Sequence, residues 1–124
     1  MEEEGAGFRH ERLDVWKKAI EWAQGICVVS AGFPEAERFG LQAQMRRAAV
    51  SVASNIAEGA GRYTAVDFAR FMEIAYGSLM ETVCQATIAL NLGYMNAHDY
   101  DRLRTQAETI ARMLSALRRS RLSR

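Results

Sequence analysis

The sequence predicts an all-α protein, an antiparallel up-down-up-down four-helix bundle. Three observations carry this. Apolar residues recur at steps of three and four through four stretches, each stretch is long enough for a bundle helix, and the connections between them are short. No stretch alternates as a strand would.

The first predicted helix begins near Asp14, an N-cap candidate, and places Trp16, Ala19, Ile20, Ala23, Ile26 and Cys27 on one face before "AGFP" ends it. "PEAERFG" is a short connection with room for one helical turn. The second helix runs from about Leu41 to Gly59, and Gly59 and Gly61 are expected to supply the positive backbone dihedrals that end it. Thr64 followed by Asp67 has capping-box spacing and opens the third helix, which continues for about 28 residues until Gly93 offers a C-terminal cap. Asn96 and Asp99 repeat that spacing ahead of the fourth helix. There Tyr100, Leu103, Ala107, Ile110, Leu114 and Leu117 form one narrow apolar seam.

The 124 residues suit one domain with one core, flanked by an acidic segment at 1–12 and an Arg-rich tail at 118–124. No run approaches the roughly 20 apolar residues of a membrane span, and the start "MEEEGAGF" is acidic where a signal peptide is basic, so a cytoplasmic protein with no membrane partner is expected. Cys27 and Cys84 lie among apolar helix positions and are expected to be buried, reduced thiols. Two cysteines make no zinc framework, and no cofactor is expected. The formal net charge of +1 removes the bulk attraction of a strong nucleic-acid binder. Charge is nevertheless uneven: Glu2, Glu3 and Glu4 stand at one end, and Arg118, Arg119, Arg121 and Arg124 stand at the other with no acid among them. These arginines suit a frayed helix end and its dipole, and they are the candidate contact for an anionic partner.

The second helix is amphipathic in an unusual proportion. Its apolar residues cover an arc of roughly 200°, wider than one packing face requires. Self-association is the simplest cover, with Arg46, Val50, Ala53 and Ala57 as the candidate interface. The remaining stripe holds Gln44, Arg47, Ser51, Ser54, Asn55, Glu58 and Arg62 at steps of three and four. Such a stripe either forms structural hydrogen bonds and ion pairs or, with Glu81 of the third helix, holds a polar ligand. Catalysis is not expected, because Ser51 and Ser54 have no histidine nearby in sequence, and His10 and His98 fall near helix starts. "EGAGR" lacks the Lys and Ser or Thr of a phosphate loop and follows no strand. Glu73 and Glu81 are four-residue-spaced around Gly77, but the Glu-x-x-His pairs of a di-metal bundle are missing, and Glu73 is expected to pair with Arg70. Met72, Met80 and Met113 are expected to fill the core.

"RLDVWKKAIEWA", "FPEAERFGLQAQMRRAAVSVASNIAEGAGR", "DFARFMEIAYGSLMET" and "ALNLGY" together resemble the bacterial four-helix-bundle proteins first associated with intervening sequences in large-subunit ribosomal RNA genes, also labelled S23 ribosomal protein. The resemblance spans most of the chain and is strongest in Gln44, Arg47, Ala48, Ser51, Asn55 to Gly59 and Arg62, then Phe71, Ala75, Gly77, Ser78, Leu79 and Glu81. It implies an antiparallel bundle, a homopentamer and no established enzyme activity. The chain is also similar to the accessory variability determinant of diversity-generating retroelements, which implies RNA or a nucleic-acid enzyme as partner. Ala53 stands where relatives often carry proline, and this chain is nearly neutral where the accessory determinant is basic. The leading expectation is therefore a non-enzymatic, homo-oligomeric assembly or adaptor module with weak RNA binding. The alternative is a small-ligand binder or enzyme built on Arg47, Asn55, Glu58 and Arg62.

Overall fold

In the computed structural model, which describes residues 7–123, four α-helices follow one another: α1 Asp14–Ser30, α2 Leu41–Ala60, α3 Ala65–Asn91 and α4 Ala97–Leu122. Each packs against its neighbours in sequence, and α4 closes the ring on α1. No strand occurs among the described residues. Short loops of this kind make consecutive helices antiparallel, which is the expected bundle.

The core runs down the middle through Trp22, Ile26, Met45, Val52, Ile56, Phe68, Met72, Leu79, Leu103, Ile110 and Leu114, each exposed by 2% or less. The seam expected on α4 faces inward from Tyr100 to Leu114, with Leu117 half-buried at its end. Trp22 is large enough to bridge two helices, and its indole Nε1 donates to Leu103 O at 2.9 Å, which satisfies the one polar atom it brings inside.

The helix ends show how short loops meet the backbone's demand for partners. Thr64 Oγ1 accepts from Asp67 N at 3.1 Å and Asn96 Oδ1 from Asp99 N at 2.7 Å, so both expected caps form. α1 is different. Its N-cap is Leu13, which has no capping side chain, and Asp14 is instead the first helical residue, with its carboxylate at the positive end of the helix. Long side chains from neighbouring segments serve the other ends. Arg46 donates through Nη2 to Cys27 O at 2.9 Å and through Nε to Ser30 Oγ at 2.8 Å, while Gln42 Nε2 donates to Ser30 O at 2.6 Å. Glu37 accepts from Leu41 N at the start of α2 and from the Tyr94 hydroxyl, tying two loops together at one end of the bundle. At the other end Arg9, in a single 3-10 turn ahead of α1, donates to the carbonyls of Ala60 and Arg62.

Several expectations are corrected. Gly59 and Gly61 have no positive φ; among the described residues only Gly93 does, at +80°. Gly59 is instead a buried helical residue where α2 meets α3, and a Cβ there would lie 2.6 Å from Phe71 Cβ. Cys27 is half-buried and Cys84 exposed, and Met80 is 40% exposed, because their positions on α1 and α3 turn away from the ring's centre. The wide apolar arc of α2 is mostly consumed within the chain, since α1 covers one flank and α3 the other: Met45, Ala48, Ala49, Val52, Ala53 and Ile56 are all buried. Exposed apolar side chains occur on α1 and in the loops, where Val28, Phe39 and Tyr63 are 75% to 91% exposed, and as a series on α3, where Val66, Ile74 and Ile88 are between 44% and 70% exposed, with Leu92 at its C-cap at 55%. Arg118, Arg119 and Arg121 do not form a tail, because α4 continues to Leu122.

Candidate functional site

The polar stripe of α2 follows from its spacing: residues at steps of three and four share a helix face, and the apolar arc fixes that face at the margin of the bundle. There it meets α3, and the structure divides it into three parts.

In the middle, Ser51 Oγ and Ser78 Oγ hydrogen bond across the two helices at 2.9 Å. Asn55 Nδ2 donates to both Ser51 O and Ser51 Oγ, at 2.8 and 2.9 Å. Below them Thr82 Oγ1 donates to Ser78 O at 2.8 Å. Asn55 is therefore committed to its own helix. Toward the end of α2, Arg62 Nη2 meets Glu58 Oε2 at 2.9 Å, with the two side chains 42% and 55% exposed, and the guanidinium carbon stands 4.7 Å from the Phe71 ring centroid. Glu58 precedes Arg62 by four residues, the favourable order along a helix, and the two form a surface pair.

At the other end the stripe opens into a cleft of about 230 Å³ lined by Gln44, Arg47, Ala48 and Ser51 from α2 and by Ser78 and Glu81 from α3. Arg47 and Glu81 are both exposed. They form no ion pair with each other or with another described residue. Glu81 Oε2 accepts from Gln85 Nε2 at 3.4 Å. Gln85 is 7% exposed, and its Oε1 is a buried side-chain oxygen without a partner among the described residues. Sequence reasoning passed over Gln85, although its step of four from Glu81 was the signal available. The cleft thus joins Gln44, Arg47, Ser51 and Glu81, and leaves Asn55, Glu58 and Arg62 outside it.

Of the expected interface residues, Ala53 is buried within the chain and Arg46 is occupied by the end of α1, whereas Val50 is 50% exposed and Ala57 half-buried. Of the expected nucleic-acid contacts, Arg118 Nε reaches Glu73 Oε2 at 2.6 Å, so Glu73 pairs across to α4 and not with Arg70. The Arg121 guanidinium carbon lies 4.2 Å from the Phe68 ring centroid. Arg119 is exposed, and Arg124, like Glu2, Glu3 and Glu4, lies outside the described residues. No nucleophile and base meet in the cleft, whose only ionisable side chains are one guanidinium and one carboxylate.

Elsewhere, Tyr100 Oη lies 2.9 Å from Thr87 Oγ1 and accepts from Arg104 Nη1 at the same distance; these bonds, Thr87's first, lower its pKa against the burial that raises it. The bond to Glu37 raises that of Tyr94. No helix among the described residues is long and apolar enough to cross a membrane.

Comparison with known proteins places this arrangement. The family model of the 23S rRNA-intervening sequence protein matches residues 11–116. A crystal structure of a protein with unknown function from the S23 ribosomal protein family of Bacteroides thetaiotaomicron is similar in fold, with a TM-score of 0.77 at 22% identity over 83% of this chain and 96% of that one. The search of curated proteins finds no match.

Proposed function

Since the chain belongs to the 23S rRNA-intervening sequence protein family, we propose that it is a non-enzymatic assembly module of the cytoplasm, a homo-oligomer that presents a composite surface to RNA or to an enzyme acting on nucleic acid. One observation carries the reading. Val66, Ile74 and Ile88 lie along the outer side of α3, with Leu92 at its C-cap and Val50 on α2, and the described residues leave each of them 44% to 70% exposed. A row of such side chains along one side of a helix of 27 residues supports an interface. The resemblance stated above supplies the number five.

Light scattering after size exclusion tests this. The expected mass at micromolar concentration is five times the 13.9 kDa of one chain, and the mass of a single chain overturns the reading. Ile74→Glu and Val50→Glu change side chains already half-exposed in the subunit. Each should dissociate the assembly and leave the helical content unchanged, because a carboxylate in a desolvated interface has no partner.

RNA contact on this reading is weak, indifferent to sequence and governed by phosphate, as a net charge of +1 requires. Deleting residues 118–124 would remove the Arg118–Glu73 pair and the Arg121–Phe68 contact along with the charge. Arg119→Ala is the cleaner probe. Affinity for RNA should fall steeply between about 50 and 200 mM salt, and this substitution should lower the salt slope by roughly one unit for each copy in contact. If the wild type does not bind at the lower salt, RNA is not a partner of the protein alone.

A further inference from the structure

The cleft between α2 and α3 holds one positive and one negative group that do not meet. Arg47 stands on α2 and Glu81 on α3, both line the same 230 Å³ space, and neither has an ion partner among the described residues. The Ser51 and Ser78 hydroxyls line the same cleft; they are bonded to each other, Ser51 Oγ also accepts from Asn55, and the pair keeps further acceptor capacity. Gln85, whose amide nitrogen donates to Glu81 at 3.4 Å, does not itself line the cleft.

The charge pattern selects the chemistry of what enters. A simple anion drawn to Arg47 would sit in the same small cleft as the Glu81 carboxylate, and a simple cation drawn to Glu81 would sit beside the Arg47 guanidinium. Each single charge therefore gains from one wall and is repelled by the other. A molecule with a carboxylate at one end and an ammonium at the other gains from both. The guanidinium fork suits the carboxylate, and the ammonium's three donors suit a carboxylate in a cleft that also presents serine hydroxyls. We propose that this cleft binds a small zwitterion of the amino-acid class, its carboxylate held by Arg47 and its ammonium by Glu81. The inference does not depend on oligomerisation, since all of these residues belong to one chain.

The probes are glycine, β-alanine and 4-aminobutyrate, which are achiral and separate their two charges by increasing lengths, with acetate and methylamine as single-charge controls. Amide shifts in ¹H–¹⁵N spectra of residues 44–51 and 78–85 report binding. At least one of the zwitterions should titrate these amides saturably, about tenfold more tightly than either control, the difference expected when one charge-assisted contact is lost. Arg47→Gln and Glu81→Gln should each bring that zwitterion down to the level of the controls. The exchanged pair Arg47→Glu with Glu81→Arg should keep the binding, because an achiral ligand can turn end for end. The same titration on Ile74→Glu reveals a cleft that a neighbouring subunit closes: binding there alone supports the site, and binding in neither protein overturns it. Acetate binding as tightly as the best zwitterion also overturns it, leaving an anion site at Arg47. The mass measured above answers separately whether the chain is an oligomer.

Discussion

Gly59 and Gly77 are both helical glycines, and their surroundings give opposite expectations for the same change. At Gly59 a Cβ would lie 2.6 Å from Phe71 Cβ and 2.9 Å from Met72 Cε, so α2 and α3 can approach this closely only without it. Gly59→Ala should destabilise the fold by about 1–3 kcal/mol, overpacking outweighing the better helix propensity. Nothing lies within 4 Å of a Cβ at Gly77, so Gly77→Ala should stabilise the isolated subunit by about 1 kcal/mol. Thermal unfolding of both variants checks the contrast. Tyr94 offers a pH-dependent test at the same scale. Its hydrogen bond to Glu37 favours the protonated phenol and raises its pKa above the ordinary 10.0. The stability it contributes is therefore complete below pH 10.0 and lost as pH rises through the raised value. Tyr94→Phe should lower stability at neutral pH and make its decline in alkali shallower, as denaturant melts across that range would show. Tyr100, whose pKa is lowered, acts with the opposite sign and is common to both proteins.

Among the elements, α1 and α2 are joined by more than apolar contact. The last carbonyls of α1 accept from Arg46 and Gln42, which belong to α2, in addition to the amides of the following loop, so docking of α2 adds to the stability of that helix end. Arg46→Ala should cost about 1.5–3 kcal/mol, because it removes two charge-assisted bonds, one of them the bond that the fully buried Ser30 Oγ accepts, while Cys27 O keeps Ala31 N and Ser30 Oγ as donors. Glu58→Gln is the useful comparison. That pair is also an arginine bond at 2.9 Å, but both side chains are substantially exposed, and solvent screening should hold the loss to about 0–1 kcal/mol. Chemical denaturation of the two variants side by side measures the difference that burial makes. An equal loss would contradict the assignment of Arg46 as the cap of α1.

For the whole molecule, the distribution of apolar surface matters more than its amount. The ring of four helices covers α2 from two sides and leaves half-exposed apolar side chains along α3, Ile74 and Ile88 among them, which is the surface proposed above for another copy. The basic end of α4 is also drawn into the fold, since Arg118 pairs with Glu73 and Arg121 stacks on Phe68. Arg119 is left as the exposed described arginine of that cluster. A mass measurement on Ile74→Glu and a salt titration of Arg119→Ala address these two surfaces independently.

The helices, their order and the caps of α3 and α4 at Thr64 and Asn96 were legible in the residues themselves, because they rest on local physics. Steps of three and four in apolar residues, Thr64 ahead of Asp67, Asn96 ahead of Asp99 and Gly93 at the close of α3 each act within a few positions of the chain. The one polar face of α2 followed from the same periodicity, and the structure shows that Glu58 pairs there with Arg62. Only the tertiary structure decided what each face meets. It assigned Gly59 to helix contact and not to a turn, Arg46 to the end of α1, Glu73 to Arg118, and a series of exposed apolar side chains to α3, since each of these depends on which helices lie side by side. It also divided the stripe, sending Asn55 to Ser51 and opening the cleft at Arg47 and Glu81. Helical periodicity sets the direction of a side chain from its own axis, but its partner is set by the packing of another helix many residues away, and that is information the local sequence does not hold.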